Sequence, residues 1–249
     1  MPTPMPRIMT YNVHRCVGMD GQLDVARTAR VIAHCRPDIV ALQELDVGRA
    51  RTGGVDQAHA IAEQLGMSFH FHPAFRVEEE EYGDAILSLH PIRLVKAGAL
   101  PGSNAVRGLE PRGAIWVKID LGDCELDIVN THLGLVPHEQ RAQADALVSD
   151  AWMGHLDCTD PAILLGDFNA TSRHAAYRKL AARLRDAKRV ARRGPLATFP
   201  ARLPMLRIDH VFVSRSIVVT GVHVPRGGLM RQASDHLPLM VDFRVESGR

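Results

Sequence analysis

The chain reads as an α/β protein in which two packed, mixed β-sheets are flanked by helices. Three observations predict it. Apolar runs of strand length outnumber the helical stretches, several follow one another with no helix between, and amphipathic helical segments interrupt them unevenly. Consecutive strands pair antiparallel, whereas parallel neighbours need a crossover, so the sheets are mixed. There are more strands than one sheet carries comfortably, which calls for a second sheet and for helices outside. With 249 residues, 46% of them hydrophobic, the chain can bury a sizeable core as a single domain, 1–249, with no repeat or linker.

The first strand is Ile8 to Asn12, followed by a loop at Gly18 to Gly21. Asp24 can cap a helix whose inner face is Val25, Ala29, Ile32 and Ala33, and Pro37 marks its end. A strand from Asp38 to Leu42 leads through the loop Asp46 to Gly54 into a second helix, about Val55 to Leu65, stopped by Gly66. Strand-like segments follow at Phe69 to His72, Ala85 to Leu89, Ile92 to Ala97, Ala114 to Ile119 and Leu126 to Asn130. A third helix is expected over about Pro137 to Trp152, with Arg141 and Asp145 at i,i+4 spacing on its outer face. After the central strand Pro161 to Leu165, a fourth helix spans about Ser172 to Val190, with Tyr177, Leu180, Leu184 and Ala187 inward. Strands at Arg207 to Ser214, Ile217 to Val222 and Leu239 to Val245 complete the chain.

A formal net charge of +2 offers no global field that argues for DNA or an anionic membrane as partner. The four cysteines, Cys16, Cys35, Cys124 and Cys158, form no C-x-x-C pair, which argues against a zinc site or a disulfide framework. No leader-like segment and no apolar run of about 18 residues is present, so a reduced, cytoplasmic, non-spanning protein is expected.

Function is suggested by how the apolar runs end. The run Pro161 to Leu165 stops at Gly166-Asp167-Phe168-Asn169, a carboxylate and a carboxamide two positions apart. Taken alone this is also turn chemistry, because Gly tolerates positive φ and Asp and Asn bond their own backbone. The pattern repeats, however, in Tyr11-Asn12, Leu42-Gln43-Glu44, Asn130-Thr131-His132 and Ile208-Asp209-His210, while in Ser234-Asp235-His236 the acid and imidazole precede the strand instead. An Asp beside a His with a nearby Ser also invites a serine hydrolase, but no G-x-S-x-G elbow is present.

Together with Gly83-Asp84-Ala85-Ile86-Leu87-Ser88, this ordered set resembles the endonuclease/exonuclease/phosphatase superfamily, from about residue 8 to residue 243. Its members include DNase I-like nucleases, abasic-site endonucleases, inositol polyphosphate phosphatases and neutral sphingomyelinases. The resemblance implies a four-layered α/β sandwich with the site at one edge of the paired sheets, and divalent-metal-dependent hydrolysis of a phosphodiester. Phosphodiester hydrolysis needs charge neutralisation, a positioned water and protonation of the departing oxygen. Glu44, with Asn12 nearby, offers hard oxygen ligands suited to Mg²⁺ or Mn²⁺. By resemblance Asp235 is a further metal-side carboxylate, Asp167 orients or deprotonates the attacking water, and Asn169 donates to the phosphoryl oxygens. His236 is similar to the catalytic histidine, Asp209 to the carboxylate that orients it, and His132 to a second histidine that contacts the phosphate or assists the leaving group. Arg112 matches a phosphate-binding arginine, with a solvated strand-start arginine as the alternative reading. Related sequences often carry Asn at Asp84 and Arg at Leu89, so contacts there are expected to differ.

The substrate is left open among a phospholipid head group, a small phosphoester and DNA or RNA, with a non-catalytic phospho-ligand module as the reading from another class. Arg173, Arg178, Lys179, Arg183, Arg185, Lys188, Arg189, Arg192 and Arg193 would give the fourth helix a basic face, able to track a nucleic-acid backbone or touch a membrane peripherally. The same pattern also describes an ordinary solvated face. Against a polyanion stands the acidic run Glu78 to Glu81. The loop Gly194 to Leu206 is expected to overhang the site, with Phe199 and Met205 either admitting an apolar substrate or packing the loop down. The sequence leaves the oligomeric state undetermined.

Overall fold

The computed structural model describes residues 5–102, 109–191 and 196–246. One six-stranded sheet is built from β1 (Arg7–Asn12), β2 (Ile39–Val47), β3 (Ser68–Val77), β4 (Glu80–Ser88), β11 (Ile217–His223) and β12 (Leu239–Val245), in the order β11-β12-β1-β2-β4-β3. The other comprises β5 (Ile92–Ala99), β6 (Gly113–Asp120), β7 (Glu125–His132), β8 (Ala162–Asp167), β9 (Arg185–Asp186) and β10 (Asp209–Val213), in the order β5-β6-β7-β8-β10-β9. Each sheet holds one parallel pair, β1 with β2 and β7 with β8, and each parallel connection carries a helix: α1 (Val25–Cys35) or α3 (Pro137–Leu147). The remaining pairs are antiparallel, so both sheets are mixed.

Alternation along the strands fixes the layers. Ile8, Ile39 and Ala41 point into the core between the sheets, where they meet Ile115, Ile128, Ile163 and Leu165 of the facing sheet. Their neighbours Met9, Val40 and Leu42 point outward against α1, α2 (Gln57–Leu65) and α6 (Gly228–Ala233). Trp116, Val129, Leu164 and Phe212 face α3 and α4 (Ala175–Ala181) on the far side. Strands buried on both faces read as unbroken apolar runs, and each fully buried Ile or Leu contributes about 1.5 to 3 kcal/mol. The result is the expected four-layered α/β sandwich.

Local rules account for the element boundaries. The Asp24 side chain accepts from Arg27 N at the start of α1, Asp56 accepts from His59 N at the start of α2, and left-handed Gly66 ends α2. Pro73 is accommodated because β3 is an edge strand and its register shifts between Pro73 and Phe75.

Several expectations are corrected. In α1 the inner face includes Thr28, Val31 and Cys35, while Ala33 is exposed. Helix α3 ends at Leu147, and Trp152 returns through a turn to the core beneath Lys96. Asp145 pairs with Lys179 on α4 and not with Arg141. The expected fourth helix is three elements: α4, the short strand β9, and α5 (Ala187–Ala191). The chain leaves helix there because Asp186 is drawn inward by the Tyr177 hydroxyl and the Arg207 guanidinium, and β9 pairs with β10. Among the described residues no continuous basic helix face remains. Arg185 is spent on the carbonyls of Ser214, Arg215 and Ile217, and Arg178 on that of Arg173. Arg192 and Arg193 lie outside the described residues, as do Gly194 and Pro195 of the expected loop.

Candidate active site

Strand register brings the polar ends together. His132 at the end of β7 stands opposite Asp167 at the end of β8, and Asp167 stands opposite Asp209 at the start of β10. In the other sheet Asn12 ends β1 beside Gln43, and a bulge between Leu42 and Leu45 puts Glu44 at φ 62°. Left-handed backbone costs a non-glycine residue about 1 to 2 kcal/mol, so this bulge is imposed by its surroundings, and it turns the Glu44 carboxylate out of the strand. Gly166 holds φ 145°, and a Cβ there would lie 1.8 Å from Thr131 O. Only glycine lets β8 approach β7 closely enough to deliver Asp167.

The two sheets are clamped behind these residues by buried amides. Asn130 on β7 donates to the carbonyls of Leu42 and Ala85 at 2.9 and 3.0 Å, and its Oδ1 accepts from Gln43 Nε2 at 2.8 Å. Asn130 therefore satisfies backbone groups beside the β2 bulge.

Around the cavity the contacts are dense. Asn12 Nδ2 donates to Glu44 Oε1 at 2.9 Å and to Asp167 Oδ2 at 3.0 Å, while its Oδ1 accepts from His14 N. The expected Asn12 oxygen ligand is thus engaged with backbone, and the amide nitrogen bridges two carboxylates. Asn169, left-handed at φ 47°, donates from its backbone N to Asp167 Oδ1 at 2.9 Å, and Gln140 of α3 holds its carbonyl. His236 Nδ1 lies 3.0 Å from Asp209 Oδ2, and its Nε2 lies 3.6 Å from Asp167 Oδ2. Thr198 donates to Asp209 Oδ2 at 2.5 Å, and the Phe199 ring sits 4.9 Å from the His236 ring. Phe199 thus packs its loop onto the histidine and also lines the cavity, whereas Met205 is 69% exposed and lines nothing.

Arg112 is buried, not a solvated strand-start arginine, and places NH1 3.1 Å from His132 Nδ1 in the cavity wall. Because a guanidinium only donates, His132 Nδ1 accepts and its Nε2 carries the proton. That nitrogen lies 3.0 Å from Asn169 Nδ2, which itself donates to Leu133 O at 3.0 Å, and 3.5 Å from Asp167 Oδ2. Ser234 donates to Asn12 O and not to an imidazole, which removes the serine-hydrolase arrangement.

Burial and neighbouring charges set the protonation states. Desolvation raises Asp167 to about 7, opposed by the adjacent His236 charge. Burial lowers His236, but Asp209 and Asp167 outweigh it and raise the imidazole to about 10. Desolvation, reinforced by the Arg112 and His236 charges, holds His132 well below its ordinary value and so neutral. Asp84 is pushed up to about 8 by burial despite Arg112 nearby.

A cavity of about 600 Å³ is lined by Glu44, Arg112, His132, Asp167, Asn169, Asp235 and His236, so every expected site residue faces it except Asn12 and Asp209, which brace it from behind. Leu89 is 55% exposed and outside it. The acidic run also lies elsewhere. Glu78 and Glu79 form the β3–β4 turn, Glu80 pairs with Arg49 and Glu81 with Arg76. Sequence reading missed Thr198, Gln140, and His14 and Arg15 at the cavity wall. Only the adjacency of His14 and Arg15 to Asn12 could have signalled them.

Two carboxylate groupings could attract a cation. Asp167, Asp209 and His236 present ligand-type atoms within 4.8 Å of one another. His236, however, is held cationic between the two carboxylates, donating to Asp209 and lying 3.6 Å from Asp167, which is unsuited to ligation. Glu44 fits better: it is half-buried, lines the cavity with Asp235, and forms no ion pair among the described residues.

Residues 9–236 match the Endonuclease/Exonuclease/phosphatase family, and the chain belongs to it. It is 25% identical over 251 residues to the uncharacterized protein YbhP of Escherichia coli strain K12, covering 96% of each chain. Among solved structures it resembles the endonuclease/exonuclease/phosphatase from Bacteroides vulgatus, with a TM-score of 0.78 and 21% identity, over 98% of this chain and 100% of that one. It also resembles the mannosyl-6-phosphatase Bt3783 of Bacteroides thetaiotaomicron, with a TM-score of 0.74 and 22% identity, over 96% and 99%. The DNase I-like fold is therefore shared, and members of this superfamily are hydrolases acting on phosphoester bonds.

Proposed function

We propose that the chain is a divalent-metal-dependent phosphoesterase acting on a small phosphodiester or phosphoester, including a lipid head group. The observation that carries this reading is the meeting of Glu44, Asp167, Asn169, His132 and His236 around one cavity, although they come from four separate segments. Mg²⁺ or Mn²⁺ held by Glu44, with Asp235 alongside, would neutralise phosphate charge and polarise the scissile bond. The protein's own groups divide the remaining work. Asp167, which titrates near neutrality, orients the attacking water and takes its proton. Asn169 Nδ2, His132 Nε2–H and Arg112 supply donors to the phosphoryl oxygens as these gain charge. His236, oriented by Asp209 and kept protonated, supplies positive charge and the proton needed by the departing oxygen.

A small substrate is favoured over extended nucleic acid because the basic residues of 173–189 are dispersed over α4, β9, α5 and the turns beside them, and none lines the cavity. The likeness to a mannosyl-6-phosphatase points the same way. In the test, Asp167→Asn and His236→Ala each lower hydrolysis of bis-p-nitrophenyl phosphate about 100-fold or more. Full activity in both variants would contradict the roles assigned here.

A further inference from the structure

His14, Arg15 and Cys16 occupy left-handed backbone in succession, at φ 46°, 56° and 57°. Each such non-glycine residue costs about 1 to 2 kcal/mol, so three in a row persist only where the surroundings dictate the turn. They do so here. His14 N donates to Asn12 Oδ1 at 3.0 Å, Gln57 Nε2 donates to Arg15 O at 2.7 Å, and Cys16 is buried in the outer core. The turn follows directly on the site residue Asn12 and sets the side chains of His14 and Arg15 in the cavity wall.

An arginine in a cavity also lined by Glu44, Glu110 and Asp235 has carboxylates available, yet Arg15 pairs with none of them. The polar partner of its guanidinium is His14 Nε2, 2.8 Å from NH2. His14 Nδ1 donates to Val17 O at 3.2 Å, so Nε2 is the accepting nitrogen and the ring is neutral. His14 therefore aims the guanidinium without cancelling its charge. Arg15 Nε is buried with no partner among the described residues, so donors remain to be satisfied. Arg112 enters from the opposite sheet, before β6, and is already directed at His132.

We propose that Arg15 is a second anion-binding group, selecting substrates that carry an oxyanion in addition to the scissile phosphate. The proposal rests on the phosphoesterase reading for which phosphate reacts. A guanidinium fork matches such a group through paired, charge-assisted bonds, and a cavity of about 600 Å³ is the size of a small-molecule site.

Calorimetric binding tests it without relying on turnover. Alkane-α,ω-diyl bisphosphates of increasing chain length are compared with the matching alkyl monophosphates at one fixed Mg²⁺ concentration, on the wild type, Arg15→Asn and Arg15→Lys. Asn is chosen because it tolerates left-handed backbone. At the fitting chain length the wild type binds the bisphosphate at least about 10-fold tighter than the monophosphate, Arg15→Asn abolishes that ratio and Arg15→Lys keeps part of it. Equal affinity for both ligands at every length overturns the proposal, as does an Arg15→Asn variant that weakens both equally. Absence of hydrolysis with the binding ratio intact would instead overturn the phosphoesterase reading and leave Arg15 as an anion site.

Discussion

Asp167 and His236 face one another across 3.6 Å, both buried, and their titrations belong to the pair. The sign of the pH dependence follows from their roles. Asp167 acts when ionised, so kcat/KM rises as pH passes about 7, and His236 acts when protonated, so kcat/KM falls as pH passes about 10. A pH–rate profile on bis-p-nitrophenyl phosphate should show both limbs, and His236→Asn should lack the alkaline one. An unchanged alkaline limb in that variant contradicts the assignment. Glu44, His132, Asp167, Asn169, Asp235 and His236 were legible in the sequence because each lies where an apolar run ends or begins. Thr198 was not, since its bond to Asp209, eleven positions on, depends on a loop folding back with no spacing rule to announce it. Asn12 was legible as a site residue, but its use as an amide bridge between Glu44 and Asp167 was not, because which atom an amide presents is decided by its neighbours.

Among the elements, β2 and β7 determine where the site sits. The β2 bulge that exposes Glu44 interrupts pairing with β4, and the Asn130 amide from β7 takes up the Leu42 and Ala85 carbonyls beside it. Asn130→Ala should therefore cost about 2 to 3 kcal/mol, read as a lowered denaturant midpoint, because buried carbonyls and the Gln43 amide lose partners. A midpoint within error of the wild type would show that the clamp is dispensable. Strand positions were legible from period and apolar runs, and α1 from its Asp24 cap. The segment 172–190 misled because its helical periodicity is real over Tyr177 and Leu180, while the break at Arg185 is set by Asp186 reaching Tyr177 and Arg207 across the fold. Local propensity carries no record of such a partner.

For the whole molecule, two sheets buried on both faces give a rigid platform whose strand ends meet at one edge, and the site is built across the seam between them. The paired sheets were legible because doubly buried strands cannot hide their composition, whereas the place of the site at their edge was implied by the family resemblance. The substrate was not, because it is read by side chains such as Arg15 on irregular backbone. Among the described residues no helix is long and apolar enough to cross a membrane. The concentration of carboxylates at the seam, with Glu44 bonded by the Asn12 amide but in no ion pair among the described residues, is what a divalent cation would complete. The most direct test follows bis-p-nitrophenyl phosphate hydrolysis by the wild type and by Glu44→Gln through exhaustive EDTA treatment and metal add-back. Wild-type turnover should vanish with EDTA and return with Mg²⁺ or Mn²⁺, while Glu44→Gln should recover little. Turnover that survives EDTA undiminished would contradict the account.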